Sequence, residues 1–366
     1  MSRIEIVVTS INPPLLLLEY ARHFYSLGND DVGFIVIGDV KTPDNETKKV
    51  IRSVSKFVPT CYMNVEEQKK WGLKYQRMMD AIPYNSDNRR NIGYLLAAEK
   101  GAEIIINLDD DNYATSDDFI AYHSIVGQTR SMLMVHSTNG WFNPCSILST
   151  RPIRRLYARG FPYSKRWKDR ISFTRGTGKV MVNQGLWFGD PDVDAVTNLT
   201  EPVKVIRLNK QQVMVAPKTY VPLNTQNTAV HIDLLPAYYY VRMGMPIEGL
   251  KIDRYGDIWQ GYFVQKLMHA IGHTISMGKP MSDHRRNKHD FMKDIKAELY
   301  GMIVTERLVS FLDSIEVSSK NYADGYMELS ELFEKANLGE EQGLKKYQRI
   351  LARSMRIWVE TCDKIT

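Results

Sequence analysis

The sequence predicts an α/β protein on a mixed, mainly parallel sheet, and three stretches carry that prediction. Ile4-Glu5-Ile6-Val7-Val8-Thr9 opens the chain, Gly33-Phe34-Ile35-Val36-Ile37 repeats the pattern, and Ile104-Ile105-Ile106-Asn107-Leu108 repeats it again. Short apolar runs bounded by polar residues fit strands buried on both faces. The segments between them hold helical patterns, and crossovers of that kind join parallel strands with a right-handed connection. Residues 1–290 read as the sheet-bearing body, and 291–366 as a C-terminal helical appendage packed on it.

In chain order, the first strand runs into the polar turn Ser10-Ile11-Asn12-Pro13-Pro14 and then a helix carrying Leu16, Leu17, Tyr20 and Phe24. The second strand ends in Gly38-Asp39. Open α/β sheets bind ligands beyond the carboxyl ends of their strands, so Thr9, Asn12 and Asp39 are candidate nucleotide contacts. No Gly-x-Gly-x-x-Gly follows the first strand and no Walker-type loop occurs, which argues against dinucleotide oxidoreductases and P-loop kinases. Residues 65–82 read as one helix. Another starts at Arg89-Arg90, where cations at a helix N-terminus call for an anion: a ligand phosphate, Asp87 or the acids that follow.

Those acids are Asp109-Asp110-Asp111, at the end of the third strand. Alternation along an extended chain would set Asp109 and Asp111 on one face and turn Asp110 away. Neighbouring carboxylates repel, and a proton, a basic partner or a hard divalent cation relieves the repulsion. Mg²⁺ and its relatives bind through one or two carboxylates plus phosphate oxygens, so the triplet is a candidate nucleotide-diphosphate site. The alternative is a solvated turn capping a helix near Ser116.

A strand over 132–136 precedes a basic loop, Arg151 to Arg170, which includes Arg159 and Arg166. Arg285, Arg286 and Lys288 beside His284 and His289 form a second basic cluster within a net charge of +6. Such clusters serve nucleotide phosphates, a polyanionic partner such as nucleic acid, or solubility alone. Trp187 packs or lines a sugar pocket, while Asp192 and Asp194 read as turn and cap acids. The polar stretch 220–229, with Asn227, suits hydroxyl recognition. Asp257 starts a helix carrying Trp259, Phe263, Leu267 and Ile271, and reads equally as an N-cap or a general base. Two stripes read as core-facing helices: Phe291, Ile295, Leu299, Ile303, Leu308 and Leu312, then Leu344, Tyr347, Leu351, Met355 and Trp358.

Cys61, Cys145 and Cys362 are few, odd in number and unspaced for a metal, which fits reduced thiols in a cytoplasmic protein. The sequons at Asn45 and Asn198 then carry no meaning. Leu15 to Leu18 is too short to span a bilayer, and no charged-then-apolar leader precedes the first strand.

Several of these pieces resemble known families. Ile37-Gly38-Asp39 with Lys41-Thr42-Pro43, Ile82-Pro83-Tyr84-Asn85-Ser86, Arg89 to Tyr94, Gly189 to Ala195 and Asp257 to Tyr262 resemble the STELLO-type glycosyltransferases. Asp109-Asp110-Asp111, Arg159-Gly160-Phe161-Pro162-Tyr163-Ser164, Gly185-Leu186-Trp187, Pro191 to Ala195, Arg254 to Trp259 and His284 resemble the reversibly glycosylated polypeptides, the UDP-arabinopyranose mutases. The resemblance implies a GT-A-like, Rossmann-related fold. It also implies Mn²⁺ or Mg²⁺ on Asp109, Asp111 and His284, and a UDP-sugar contacted by Thr9, Asn12, Asp39, Arg90, Asp110, Arg166, Trp187 and Asn227. Arg159 matches the arginine that is reversibly glycosylated in the mutases; its simpler role is to clamp phosphate. The chain departs from the mutases at Gly256, where they carry an acid, and at Asn224-Thr225, where they carry Cys-Gly. With those departures the leading expectation is a metal-dependent glycosyltransferase, with Asp257 as base and an unidentified acceptor, a glycan or modified nucleic acid. The alternatives are a UDP-sugar mutase and an inactive nucleotide-sugar-binding protein.

Overall fold

A computed structural model describes residues 3–168, 170–287 and 290–365. The strands are β1 (Ile4–Thr9), β2 (Val32–Ile37), β3 (Thr60–Met63), β4 (Ile104–Leu108), β5 (Asn112–Tyr113), β6 (Thr129–Ser137), β7 (Leu148–Arg151), β8 (Ile171–Gly189), β9 (Lys204–Leu208), β10 (Gln212–Val215), β11 (Asn227–His231), β12 (Met245–Ile247), β13 (Leu250–Ile252) and β14 (Thr274–His284). The helices are α1 (Leu16–Leu27), α2 (Asp44–Val54), α3 (Val65–Gly72), α4 (Gln76–Ala81), α5 (Arg90–Glu99), α6 (Phe119–His123), α7 (Ala195–Thr200), α8 (Gly256–Ile271), α9 (Phe291–Ser314), α10 (Tyr322–Lys335) and α11 (Gln342–Cys362).

One large sheet runs β3-β2-β1-β4-β11-β8-β6-β10-β14-β5. Its first four strands are parallel, β11 runs antiparallel between β4 and β8, and β14 returns parallel beside β8. This is the mixed α/β architecture, with a parallel half, that the apolar runs predict. β1, β2 and β4 are buried on both faces because they lie in the parallel half, between α1 and α2 on one side and α5 on the other. Their carboxyl ends, Thr9, Ile37 and Leu108, therefore open onto the same edge.

Two helical expectations are corrected. The segment 65–82 breaks at Gly72, and a 3₁₀ turn, Leu73–Tyr75, separates α3 from α4. A Cβ on Gly72 would come within 2.5 Å of Met79 Cγ, so the chain folds back where only a glycine lets Met79 approach. In α9, Leu308 and Leu312 are buried but Leu299 and Ile303 are 40% and 41% exposed. The buried face instead carries Glu298, Met302 and Thr305, so a polar residue displaces the expected apolar stripe. The last stripe holds: Leu344, Tyr347, Leu351, Met355 and Trp358 of α11 are all buried, and Trp358 Nε1 donates to the Leu235 carbonyl at 2.8 Å. One apolar cluster joins β8, α8, α9, α10 and α11. Among the described residues, no helix is long and apolar enough to cross a membrane.

Candidate active site

The three aspartates sit beyond β4, but not in alternation. β4 ends at Leu108, and the Asn112 amide donates to the Asp109 carbonyl at 3.2 Å, closing a turn in place of further strand. All three acids therefore line one cavity of about 210 Å³, shared with Arg159, Asp257, His284 and Arg286. Asp110, expected to face away, accepts from Ser10 Oγ at 2.5 Å. Asp109 accepts from Arg90 Nη2 at 2.5 Å, and Asp111 Oδ2 lies 3.4 Å from His284 Nε2. Burial pushes the Asp109 carboxyl up to about 7 despite Arg90, and repulsion from Asp111 adds to the rise. Burial works the same way on Asp111, yet His284 holds that carboxyl below its ordinary range.

Arg90, at the start of α5, is buried and donates to the Thr225 carbonyl at 2.6 Å and to Thr9 Oγ1 at 3.0 Å as well as to Asp109. Of the anions open to it from sequence, it has taken the triplet. Asp87 lines the cleft instead, its backbone carbonyl accepting from the Arg90 amide. A second cavity of about 700 Å³ opens at the ends of β1 and β2. There Asp39 accepts from the Val40 and Ser86 amides at 2.7 and 3.1 Å, and the guanidinium of Arg89 lies 4.3 Å from the ring of Tyr84. Thr9, Asp87, Asp110, Tyr240 and Arg254 border both cavities, so the two form one cleft.

Four expected ligand contacts line neither cavity. Asn12 stands behind the cleft, its amide on Ser10 Oγ at 2.9 Å and its side chain on Asp110. Arg166 donates to Asp194 at 2.9 Å over the face of Tyr163, so its charge is already matched. Trp187 is 2% exposed and packs in the core. Asn227 is buried between the Pro280 carbonyl, to which it donates at 2.9 Å, and His123. Much of the first basic loop is spent likewise, Arg154 on Glu201 and Arg159 on two aspartates. In the second cluster Arg286 donates to the Pro191 carbonyl at 2.7 Å; Lys288 and His289 lie outside the described residues.

Arg159 overturns its simpler expected role. A guanidinium has five N–H groups, and here each has a protein acceptor. Nε and Nη2 donate to Asp192 at 2.9 and 3.2 Å, Nη1 and Nη2 donate to Asp257 at 3.1 and 2.7 Å, and Nη1 donates to the Arg254 carbonyl at 2.5 Å. None remains to clamp phosphate. The same contacts correct Asp257, whose two oxygens face Arg159 while Oδ1 also accepts from the Ile258 amide at 3.0 Å. It is held as a counter-ion in the first turn of α8, at the wall of the smaller cavity. Asp192 comes from the loop after β8; burial opposes its charge, but Arg159 and Asn224 hold its carboxyl below the ordinary range.

The departures from the mutase pattern belong to this network. Asn224 Nδ2 donates to Asp192 Oδ2 at 2.9 Å, and the Thr225 carbonyl takes Arg90. A Cβ on Gly256 would come within 2.6 Å of the Val241 carbonyl oxygen, so an acid does not fit there unless the backbone moves. Asp194 is the α7 cap expected from sequence, accepting from the Thr197 amide at 2.8 Å, whereas Asp192, read as a turn acid, is half of the Arg159 clamp.

A cation is partly provided for. His284 Nδ1 lies 2.6 Å from the Asp190 carbonyl, which can only accept, so Nδ1 carries a proton and Nε2 faces Asp111. That anchoring is how metal-binding histidines are usually oriented. Asp109 faces Arg90 and does not join the pair. Among the described residues, no group of three or more His, Cys, Asp or Glu side chains is gathered as a metal-holding set.

The family model of the reversibly glycosylated polypeptides matches residues 1–366. The chain belongs to that family. Similar proteins include probable UDP-arabinopyranose mutase 4 of Arabidopsis thaliana, 28% identical over 78% of this chain and 74% of the relative. UDP-arabinopyranose mutase 3 of the same plant is 27% identical over 88% and 83%. Among solved structures, S. aureus TarS 1-349 in complex with UDP-GlcNAc overlaps 90% of this chain and 71% of that one at 14% identity and a TM-score of 0.37, too loose a likeness to carry any argument. Within this member of the reversibly glycosylated polypeptides, sequence reasoning missed Asp87, Asp192, Tyr240 and Arg254 as cleft residues, and had Arg286 only as one of a basic cluster. Asp192 and Arg254 stood inside quoted motifs, which was signal enough to find them.

Proposed function

We propose that this protein is a UDP-sugar mutase of the arabinopyranose type, interconverting ring forms of a UDP-pentose. The observation that carries it is Arg159. It borders the acid-lined cavity, has no N–H left for phosphate, and is flanked by two carboxylates. The transferase reading loses ground at the same place, because Asp257, its candidate base, is occupied by Arg159. Relatives described as UDP-arabinopyranose mutases add support from outside the site.

In this reading the nucleoside lies in the larger cavity, at Thr9 and Asp39, and the sugar in the smaller one. Arg159 carries the sugar. Its Nη2 gives a proton to Asp257 Oδ2, 2.7 Å away, and bonds to the anomeric carbon as the bond to the diphosphate breaks and UDP leaves with that electron pair. The paired carboxylates hold the guanidinium charged at rest, burial notwithstanding, so the proton transfer and the bond to carbon must be concerted. The Arg159 nitrogen then forms a double bond to the anomeric carbon as the bond from that carbon to the ring oxygen breaks, the freed oxygen taking the proton from Asp257. A second hydroxyl returns a proton to Asp257 as it closes on the same carbon. Return of the UDP oxygen breaks the nitrogen–carbon bond, and Asp257 hands back the proton.

Asp111 and His284 would hold Mn²⁺ or Mg²⁺ together with diphosphate oxygens, and the cation would offset charge growing on UDP. Arg90 keeps Asp109 in place beside them. A mutase needs no acceptor, so neither a glycan nor a nucleic acid is required. Three cysteines, odd in number and unspaced for a disulfide framework, agree with a reducing, cytoplasmic setting. The test is to incubate the protein with UDP-arabinopyranose and digest it for mass spectrometry. A pentose on the peptide containing Arg159, removed again by added UDP, supports the reading; an unmodified peptide under turnover sinks the role of Arg159.

A further inference from the structure

Glu298 stands on α9, outside the sheet-bearing body, and is 1% exposed. A buried carboxylate is costly unless its oxygens are matched. Both are matched, each by a different segment of the site. Oε2 accepts from the Ala195 amide at 2.7 Å, and Oε1 accepts from Arg254 Nε at 3.0 Å. Ala195 follows Asp192 by three residues, and Asp257 follows Arg254 by three. Arg254 also has positive φ, +60°, a left-handed conformation that costs a non-glycine residue, and its carbonyl takes the fifth N–H of Arg159. The two segments that grip Arg159 are thus tied to one carboxylate.

We infer that Glu298 is a positioning residue that sets the spacing between Asp192 and Asp257 around Arg159. This rests on the proposed role of Arg159 for its effect on turnover, but not for its effect on the guanidinium. An apolar residue would pack α9 against α7 equally well. Only a two-oxygen acceptor can hold an amide from one segment and a guanidinium from the other. Helix α9 is thereby part of the active site's frame.

The test is Glu298→Gln, whose amide has one acceptor oxygen and turns an NH₂ toward the second donor. The first readout is the ¹⁵N-detected guanidinium signals of Arg159, assigned by their loss in Arg159→Lys. They should shift and exchange faster in Glu298→Gln and stay unmoved in Leu299→Ala, an exposed neighbour on the same helix. The second is turnover of UDP-arabinopyranose: kcat should fall on the order of tenfold to a hundredfold while KM stays within about twofold. If Glu298→Gln does not fold, Arg254→Met cuts one of the two ties, along with the Arg254 pair to Asp294 at 3.5 Å, and should give the same shift. A folded Glu298→Gln or Arg254→Met with unmoved Arg159 signals overturns the proposal. Shifted signals in a protein whose wild type shows no isomerisation would leave the positioning role standing and remove the mutase reading instead.

Discussion

Arg159 and Asp257 meet through two parallel hydrogen bonds, Nη1 to Oδ1 at 3.1 Å and Nη2 to Oδ2 at 2.7 Å, with both side chains under a tenth exposed. A buried fork of this kind is strong only while both halves are present. Arg159→Met, which keeps the length of the side chain and removes the charge, strands Asp192 and Asp257. It should lower unfolding free energy by about 3–5 kcal/mol at pH 7 in urea titrations. Arg159→Lys keeps the charge but not the fork, so it should lose less stability and all turnover. A Met variant as stable as wild type would mean that the clamp holds nothing together.

Asp192 gives the pH dependence. Its folded carboxyl is held below the value of about 3.9 that it has in an unfolded chain. Stability from a depressed acid is fully present above the unfolded value and drains away as pH falls through the folded one. The stability gap between wild type and Asp192→Asn should therefore be flat near neutrality and shrink below about pH 4. A gap that widens with acid contradicts the assignment.

Gly160 turns the chain immediately after Arg159 with φ +86°, and a Cβ there would come within 2.4 Å of Ile258 Cγ2. Its carbonyl also accepts from Tyr262 OH at 2.6 Å. Gly160→Ala should cost about 2 kcal/mol or more, from the left-handed backbone and the clash together. Thermal melts would show it, and an unchanged midpoint would mean the turn can relax.

The cation reading makes its own forecast. Chelation with EDTA should stop conversion and Mn²⁺ should restore it. Asp111→Asn should raise the Mn²⁺ concentration for half-maximal rate by about tenfold or more, the equivalent of roughly 1.4 kcal/mol of lost binding. Full activity in EDTA would remove the metal from the account.

The buried half of the fold was legible because apolar runs have one physical reading when polar turns bound them: Ile4–Thr9, Val32–Ile37 and Ile104–Leu108 are parallel strands whose ends share an edge. The triplet was placed at that edge correctly, but alternation misjudged Asp110, since a turn and not a strand carries it. Charges were the least legible part. Arg159 and Arg166 read as free for phosphate because sequence shows neither Asp192 and Asp257 closing on the first nor Asp194 on the second. Glu298 was hidden by a stripe of apolar neighbours, Ile295, Leu299 and Ile303, which suggested a different buried face. Which acid meets which base across a hundred residues is decided by packing, not by local pattern.

The most direct measurement is to give the purified protein UDP-arabinopyranose with Mn²⁺ and no acceptor, and to resolve the nucleotide products by chromatography. The account predicts a UDP-arabinofuranose peak that grows to a constant ratio in wild type and is missing in Arg159→Lys. Steady release of UDP with no isomer, or an isomer formed equally by Arg159→Lys, would contradict it.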